Sequence, residues 1–399
     1  MQPSTTTYNE INPPSATITL LLIPSTYALF TWLFTLAIIP LAPQPINEIS
    51  SIGRLVILYT LLCFVLSIFV NFPFANKSLS DFKTPLFDNA LLFTLIFSSL
   101  VGLVGLYLYL ISILSYLGDL NNIIYIISSE DILLMRKISG EVSTIGVQLS
   151  YFSWISINLG VFFIIRSRYS LPIKLTILAA VLLQIFGNLL FIDRTRPMWI
   201  GIPLLVTYWY SRHHLSISLN KFILYLGIVP IVFFFLYTNI TGKYAQYGMV
   251  DNLFSYLTGG YGYIDTLLVE DSSKDMVLIR SGYWIAKILE LLGFNFQIPD
   301  QILDFRYVPF LTNVGTFIEP IYSDGGLLFV LIFIPIIVVG LDKLALVMYR
   351  QSTYLGLFFW GNIVFCSLIS FFVPKFNQMP IWLFLAIALF GNSLSRRTR

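Results

Sequence analysis

The sequence predicts an all-α, polytopic integral membrane protein with about ten transmembrane helices. Hydrophobic residues make up 57% of the chain and charged residues only 11%, whereas soluble domains carry about 25% charged residues. The mean hydropathy is +0.82. Apolar runs long enough to cross a bilayer, which takes about 20 residues, recur along the whole chain. A single water-soluble core is therefore excluded.

The positions of the polar breaks between apolar runs predict the domain organisation. Residues 1–240 form a membrane bundle of about seven helices, residues 241–325 a large loop outside the membrane, and residues 326–399 the closing transmembrane helices. The sixth and the tenth run are short for a span. The predicted spans are 16–41, 55–74, 90–114, 146–165, 171–192, 197–210, 222–240, 327–349, 355–373 and 380–390.

The distribution of Lys and Arg predicts the orientation, because short cationic loops stay on the cytoplasmic side. One set of alternate loops, together with the C-terminal end, holds twelve of these residues, and the short loops of the other set hold six. Both termini are therefore expected in the cytoplasm. The loop 241–325 is then expected on the non-cytoplasmic face.

This loop is too polar to span a membrane, yet it is rich in aromatic residues. Between 274 and 292, apolar residues share one face at helical spacing and charged residues share another, which predicts an interfacial or bundle-capping helix. Three glycines at 259, 260 and 262 and three prolines at 299, 309 and 320 predict short helices and turns elsewhere in the loop. We expect the loop to fold against the membrane.

Polar and small residues inside the fourth and fifth spans allow two interpretations. Small residues recur on one face of the fourth span at Gly146, Ser150, Ser153 and Gly160, and the amides Gln184 and Asn188 are four residues apart in the fifth. Close helix packing and amide hydrogen bonds between helices are the favoured interpretation. A polar stripe that leads a substrate towards the outer face is the alternative.

The motif DRTRP at 193–197 is the first candidate for chemistry. Arg194 and Arg196 lie at the predicted outer ends of two spans, on the side that the positive-inside rule disfavours. A guanidinium group matches phosphate oxygens, so lipid headgroups or lipid-linked diphosphates are natural ligands at this surface. The alternatives are snorkelling arginines bound to ordinary phospholipid, or a pair with Asp193.

The charged residues of the large loop are the second candidate. A carboxylate can accept the proton of a sugar hydroxyl, and arginines can stabilise a departing diphosphate without a metal. The alternative is that most of these groups are solvated surface charges. The cations are Arg280, Lys287 and Arg306, and the carboxylates are Asp251, Asp265, Glu270, Asp271, Glu319 and Asp324.

Several function classes are excluded by what the sequence lacks. The histidines, His213 and His214, fall in a predicted cytoplasmic loop, so an external nucleophile system or zinc site based on histidine is not expected. Cys63 and Cys366 lie in apolar runs, where neither a disulfide framework nor a zinc site is expected. A net charge of +3 predicts no nucleic-acid partner, and the absence of a GxxxxGK[ST] motif argues against ATP-driven transport.

The stretch PFLTNVGTFIEPIYSDGGLLFVLIFIP at 309–335 resembles the signature region of the Wzy-type O-antigen polymerases. In that family an Asn-Val-x-Thr-Phe segment runs into Pro-x-Tyr-x-Asp-Phe-Gly and then directly into a span. The residues that match are Asn313, Val314, Thr316, Phe317, Pro320, Tyr322 and Asp324. Gly325 stands where the family commonly has Phe. The DRTRP motif also resembles these polymerases and the related ligases, with Arg196 at the position of their arginine.

The resemblance implies a glycosyltransferase of GT-C-like architecture in the bacterial inner membrane. It would polymerise undecaprenyl-diphosphate-linked oligosaccharide repeat units at the periplasmic face, without a cofactor or metal. The implied partners are membrane lipids, a Wzz-type chain-length regulator and a flippase. The expected catalytic residues are Arg196, Asp324 and Arg280, and the expected substrate-binding residues are Arg194, Arg306, Tyr322, Asn313 and Tyr261.

Two alternatives to a polymerase stay open. An O-antigen ligase has similar architecture, but ligases resemble one another in an essential periplasmic histidine, which this chain is not expected to have. A lipid-linked oligosaccharide flippase or another transporter would show repeated halves and ionisable residues deep within its spans. In this chain the charged residues are expected mostly at the span ends.

Overall fold

The computed structural model describes residues 16–42, 46, 48–80, 89–118, 144–166, 169–189, 195–213, 249–270, 278–294, 303–308 and 310–397. These residues are almost entirely helical, apart from one two-stranded antiparallel hairpin of β1 (Arg306–Tyr307) and β2 (Leu311–Thr312). The helices are α1 (Ala16–Leu21), α2 (Pro24–Ile38), α3 (Ser51–Ser80), α4 (Asn89–Leu117), α5 (Thr144–Arg166), α6 (Leu171–Leu189), α7 (Thr195–His213), α8 (Met249–Glu270), α9 (Tyr283–Leu291), α10 (Ile318–Arg350), α11 (Tyr354–Leu368) and α12 (Met379–Arg397).

The all-α, membrane-embedded class is confirmed. Within the described ranges, six helical stretches are long and apolar enough to cross a membrane. The predicted span 222–240 lies outside the described residues, and 197–210 falls in α7, which is not among the six. A total of about ten spans therefore stays a prediction. The six stretches are Pro24–Leu41, Ser51–Ser78, Asn89–Ser115, Ile145–Ile165, Leu171–Leu189 and Ile318–Arg350.

Helix α11 lies at the centre of the bundle. Every residue from Tyr354 to Cys366 is buried, as expected for a helix that is apolar all round. Its polar groups bond to neighbouring helices: the Trp199 indole N–H donates to Asn362 Oδ1 at 2.9 Å, and the Tyr354 hydroxyl donates to the Asn158 carbonyl at 3.1 Å. This apolar helix of 15 residues is thus surrounded by other parts of the protein.

Helices α4 and α5 pack backbone against backbone. A Cβ on Gly105 would lie 2.3 Å from the Ser150 nitrogen, and one on Gly146 would lie 2.9 Å from the Tyr109 nitrogen. Across the α5 and α6 contact, Asn188 Nδ2 donates to Ser153 Oγ at 2.7 Å. The packing interpretation of these small and amide residues is confirmed, since they allow close approach and bond between helices.

Gly105→Ala is expected to destabilise the bundle, because its new methyl group would overlap the backbone of α5. Overpacking of this kind costs about 1–3 kcal/mol. The melting temperature of the purified, detergent-solubilised protein measures the effect. Gly340→Ala in α10 is the matched control, since no atom lies within 4 Å of the added Cβ, and its melting temperature should stay near that of the wild type. Equal melting temperatures for the two variants would contradict close packing at Gly105.

Helix α8 corrects one prediction about the large loop. The sequence predicted that the glycines at 259, 260 and 262 interrupt helical structure, but α8 runs unbroken through all three. A Cβ on Gly260 would lie 2.5 Å from the Phe371 carbonyl oxygen, and one on Gly262 would lie 2.9 Å from Val308. The glycines therefore allow other segments to pack directly on the α8 backbone, which keeps the helix intact despite their low helix propensity.

Helix α8 is attached to one end of the membrane bundle. The Tyr261 hydroxyl lies 2.6 Å from Thr35 Oγ1 of α2, and the Tyr261 ring packs edge-on against Trp32. The Asp265 carboxylate accepts hydrogen bonds from the Ser50 backbone N–H and hydroxyl, just before α3. This helix of the loop therefore packs on the bundle, while the position of the loop against the membrane stays a prediction.

Helix α10 is two helices joined at a kink. Gly325 and Gly326 have non-helical backbone angles, and Gly326 has a φ of 65°, a value that glycine adopts without steric penalty. The segment from Leu327 onward matches the predicted span that starts at 327. Gly325 stands where the polymerase pattern has Phe. A Cβ on Gly325 would lie 2.2 Å from the Phe329 ring, so Phe329 fills the space that a side chain at position 325 would need.

Candidate functional site

The backbone of Arg280 is held against α10 and against the segment between α11 and α12. Asp324 Oδ1 accepts a hydrogen bond from the Arg280 N–H at 2.8 Å, and Asp324 Oδ2 accepts one from the Ser281 N–H at 2.7 Å. Asn377 Nδ2 donates to the Arg280 carbonyl at 2.8 Å. Three hydrogen bonds thus fix the residue at which the loop returns to the bundle.

The Arg280 side chain then forms an ion pair with Glu319. Arg280 Nη1 lies 3.1 Å from Glu319 Oε1, and the Ser323 hydroxyl donates to the same oxygen at 2.9 Å. The Glu319 side chain is 5% exposed, whereas that of Arg280 is 30% exposed. Glu319 lies in the first turn of α10, where the helix dipole favours a negative charge. The pair therefore combines a buried carboxylate with a guanidinium that still faces solvent.

A second cation and carboxylate pair lies between α8 and the hairpin. Arg306 Nη1 of β1 forms an ion pair with Glu270 at the end of α8, and its guanidinium lies 5.5 Å from the Tyr263 ring centroid. Arg306 Nε is buried and finds no acceptor among the described residues. An open cavity of about 340 Å³ borders this pair and is lined by Thr266, Glu270, Asp304, Phe305, Arg306 and Tyr307.

Tyr263 packs beside the Arg306 and Glu270 pair. Burial raises the pKa of the Tyr263 phenol, while its hydrogen bond with Arg306 acts in the opposite direction, and the charge of Glu319 adds to the increase. Burial alone would lower the pKa of Arg306, but its hydrogen bonds with Glu270 and Tyr263 raise it above the ordinary value. Arg306 therefore stays cationic, and Tyr263 stays a neutral hydrogen-bonding group.

Arg196, at the start of α7, lies apart from both ion pairs. It is 4% exposed, and its Nη1 donates to Ser150 Oγ at 2.9 Å. Its guanidinium lies 5.1 Å from the Tyr151 ring centroid and 5.5 Å from that of Trp154. Such cation–π contacts stabilise a cation that has left water. The helices α5 and α7 thus hold this arginine inside the bundle.

Lys375 connects the Arg196 region with the Arg280 region. It is 6% exposed, and its Nζ lies 5.1 Å from the Trp199 ring centroid. The Trp199 ring in turn lies 5.1 Å from that of Trp154, beside Arg196. Two residues beyond Lys375, Asn377 bonds to Arg280. The start of α7, the segment between α11 and α12, and the large loop therefore meet at one end of the bundle.

The remaining predicted site residues have different surroundings. Tyr322 is 2% exposed in the first part of α10, and Tyr261 is fully buried with its hydroxyl beside Thr35. Asn313 is half-buried between β2 and α10. Arg194 lies outside the described residues. Their substrate-binding roles stay predictions, although the burial of both tyrosines favours a packing role for their rings.

Sequence reasoning missed two members of this region. Glu319 appeared only as one of six loop carboxylates, yet it is the partner of Arg280, and its spacing of four residues from Ser323 would have put both on one helical face. Lys375 was counted only among the six Lys and Arg residues of the less cationic loops. Its signal is a Lys between two apolar runs, two residues before Asn377 and three before Gln378, whose Oε1 accepts a hydrogen bond from Lys375 Nζ.

Comparison with protein-family models, with curated proteins and with solved structures finds no match to this chain.

Proposed function

We propose that this chain is a membrane glycosyltransferase that polymerises lipid-diphosphate-linked oligosaccharide repeat units. The observation that carries the proposal is the partly exposed Arg280 guanidinium, fixed by three backbone contacts beside the buried Glu319 carboxylate, at one end of a membrane bundle. A guanidinium matches a diphosphate. A carboxylate next to it is suited to accept the proton of an attacking hydroxyl.

The reaction transfers a growing chain from its lipid carrier to a hydroxyl group of the next repeat unit. The acceptor oxygen forms a bond to the anomeric carbon of the growing chain, and the bond between that carbon and the diphosphate oxygen breaks. Glu319 receives the hydroxyl proton, while Arg280 stabilises the negative charge that develops on the leaving undecaprenyl diphosphate. The carboxylate returns its proton to solvent, so the cycle consumes no further reactant.

Other residues of the region have supporting roles in this proposal. Both carboxylate oxygens of Asp324 accept backbone N–H groups, which favours positioning of Arg280 over proton transfer by Asp324 itself. Arg196 and Lys375 add positive charge behind the site, which raises the local affinity for an anionic carrier. Arg306 lines the open cavity beside Glu270, where its guanidinium supplies donors for a hydroxyl of the sugar chain.

The proposal places the site at the periplasmic face of the bacterial inner membrane, with a GT-C-like arrangement of about ten spans and both termini in the cytoplasm. Its product is O-antigen or a related surface polysaccharide. A flippase has to supply the lipid-linked units to this face, and a Wzz-type regulator is the expected partner that limits chain length. These partners come from the resemblance at 309–335.

One observation favours a transporter as the second candidate. Asp342 of α10 is 2% exposed and accepts hydrogen bonds from the Ser25 N–H at 3.0 Å and the Ser67 hydroxyl at 2.5 Å. Ionisable residues within spans often mark substrate or ion pathways. Asp342 also caps the N-terminus of α2 through Ser25, and this structural role needs no transported substrate.

The phenotype of cells that lack the gene distinguishes these functions. Loss of a polymerase leaves lipid A capped with a single repeat unit, loss of a ligase leaves uncapped lipid A, and loss of a flippase strands repeat units at the cytoplasmic face. We expect single-unit capping on a polysaccharide gel, with the ladder of long chains restored by a plasmid copy. A normal ladder in the deleted strain would contradict the proposed function.

A further inference from the structure

Helix α9 exposes an apolar face on the side opposite its charged residues. Ile285, Ile288 and Leu292 are 45%, 36% and 70% exposed and share one side at helical spacing. On the opposite side, Lys287 and Glu290 form an ion pair at 2.8 Å, and their side chains are 26% and 46% exposed. In water this orientation is unfavourable, because the apolar face of a surface helix normally packs inward.

Exposed apolar residues also flank the helix. Leu278, before the helix, is 46% exposed, and Phe294, after it, is 57% exposed. Gly293, two residues after the last helical residue, has a φ of +92°, and the Phe294 N–H donates to the Leu289 carbonyl at 3.0 Å. This C-terminal motif holds Phe294 close to the last turn of the helix.

Two contacts attach α9 to the ends of α10 and α12. The Trp284 ring stacks on Trp382 in the first turn of α12, with ring centroids 4.5 Å apart. Tryptophan is enriched at membrane interfaces. The segment before α9 is bound to Asp324, and the lipid-facing surface of α10 begins soon after it, with Leu327 and Leu328 exposed.

We infer that α9 lies flat in the membrane interface, with Ile285, Ile288 and Leu292 inserted among the hydrocarbon chains of the lipids. An amphipathic helix of this type buries its apolar face about 5–10 Å into the boundary between headgroups and acyl chains. The occupant of the exposed surface is thus the bilayer itself, since α9 stacks on α12 through Trp284 and Trp382, and the segment before it is bound to α10 just before the exposed Leu327 and Leu328. This inference does not depend on the proposed catalytic activity.

One consequence concerns the depth of Arg280. Arg280 precedes the first residue of α9 by three positions, and the Gly282 carbonyl already accepts the first helical N–H groups. An inserted α9 therefore holds the Arg280 guanidinium at the level of the lipid headgroups. Any phosphate group carried on a membrane lipid is presented to it without leaving the bilayer surface.

The depth of two matched probes tests the insertion of α9. Ile288→Cys and Glu290→Cys are labelled separately with an NBD fluorophore in the full-length protein, which is reconstituted in phospholipid nanodiscs. Some lipids carry a nitroxide near the headgroup end of one acyl chain. We expect the nitroxide lipids to quench NBD at position 288 roughly twofold or more, while NBD at position 290 stays nearly unaffected. Unsubstituted protein measures background labelling, because both native cysteines are buried.

The opposite results would overturn the inference. Equal quenching at positions 288 and 290 would mean that α9 does not distinguish its faces in the membrane. No quenching at position 288 would mean that another protein surface, such as a second copy of this chain, covers the apolar face. Both probes replace exposed side chains, so folding is expected to be retained, and a single symmetric peak in size-exclusion chromatography checks it.

Discussion

Arg280→Ala is expected to remove nearly all long chains from the polysaccharide ladder. Loss of one group that stabilises developing charge in the transition state typically lowers the rate about 10²–10³-fold. The Arg280 backbone bonds to Asp324 and Asn377 do not need its side chain, so the segment should stay in place. Gel analysis of surface polysaccharide, at equal amounts of membrane protein, measures the effect.

Lys287→Ala is the matched control for Arg280. Lys287 is a cation of the same loop and its ion pair with Glu290 is partly solvent-exposed, so its removal should leave the ladder unchanged. Arg280→Lys keeps the charge but loses the planar fork that matches a diphosphate, and we expect an intermediate ladder. A normal ladder in Arg280→Ala, with normal protein amounts, would remove this residue from the mechanism.

Asp324→Ala is expected to release the segment that carries Arg280. The substitution leaves the N–H groups of Arg280 and Ser281 without their acceptor, and each buried unsatisfied group costs about 1–3 kcal/mol. Polymerisation should fall with the loss of positioning. Trypsin cleavage after Arg280, followed by mass spectrometry and compared with cleavage after Lys287, should increase in the variant.

The pattern across three variants separates positioning from proton transfer. Asp324→Asn retains one acceptor oxygen and should recover part of the activity and of the protease resistance. Asp304→Ala removes an exposed carboxylate near the hairpin and should leave cleavage after Arg280 unchanged. If Asp324→Ala abolished polymerisation while the trypsin pattern stayed that of the wild type, Asp324 would act directly on the substrate instead.

Some members of the candidate site could be predicted from residue type alone. Arg280 and Asp324 were both expected to carry chemistry, and the structure brings them together, although through the Arg280 backbone rather than its guanidinium. The pairing of Arg280 with Glu319 could not be predicted from the sequence, because it joins residues 39 positions apart. Local periodicity carries no information on such contacts.

The glycines of α8 are a second case in which the sequence alone did not predict the local structure. In sequence, Gly259, Gly260 and Gly262 indicate a helix break, since glycine has low helix propensity. In the structure, Phe310, Phe371 and Val308 pack on the backbone at these positions. Tertiary packing overrides a local propensity of about 1 kcal/mol per residue, and only the partner segments reveal why glycine is required.

The sequence by itself determined that most of this protein lies in a membrane and that its backbone is mainly helical. With 57% hydrophobic residues, most of the chain belongs in lipid, where each spanning segment has to satisfy its own hydrogen bonds and therefore becomes a helix. The tertiary structure decided which helix ends meet and which cation faces which carboxylate. Those pairings depend on side-chain packing between distant segments, such as Asn377 with Arg280, 97 residues apart.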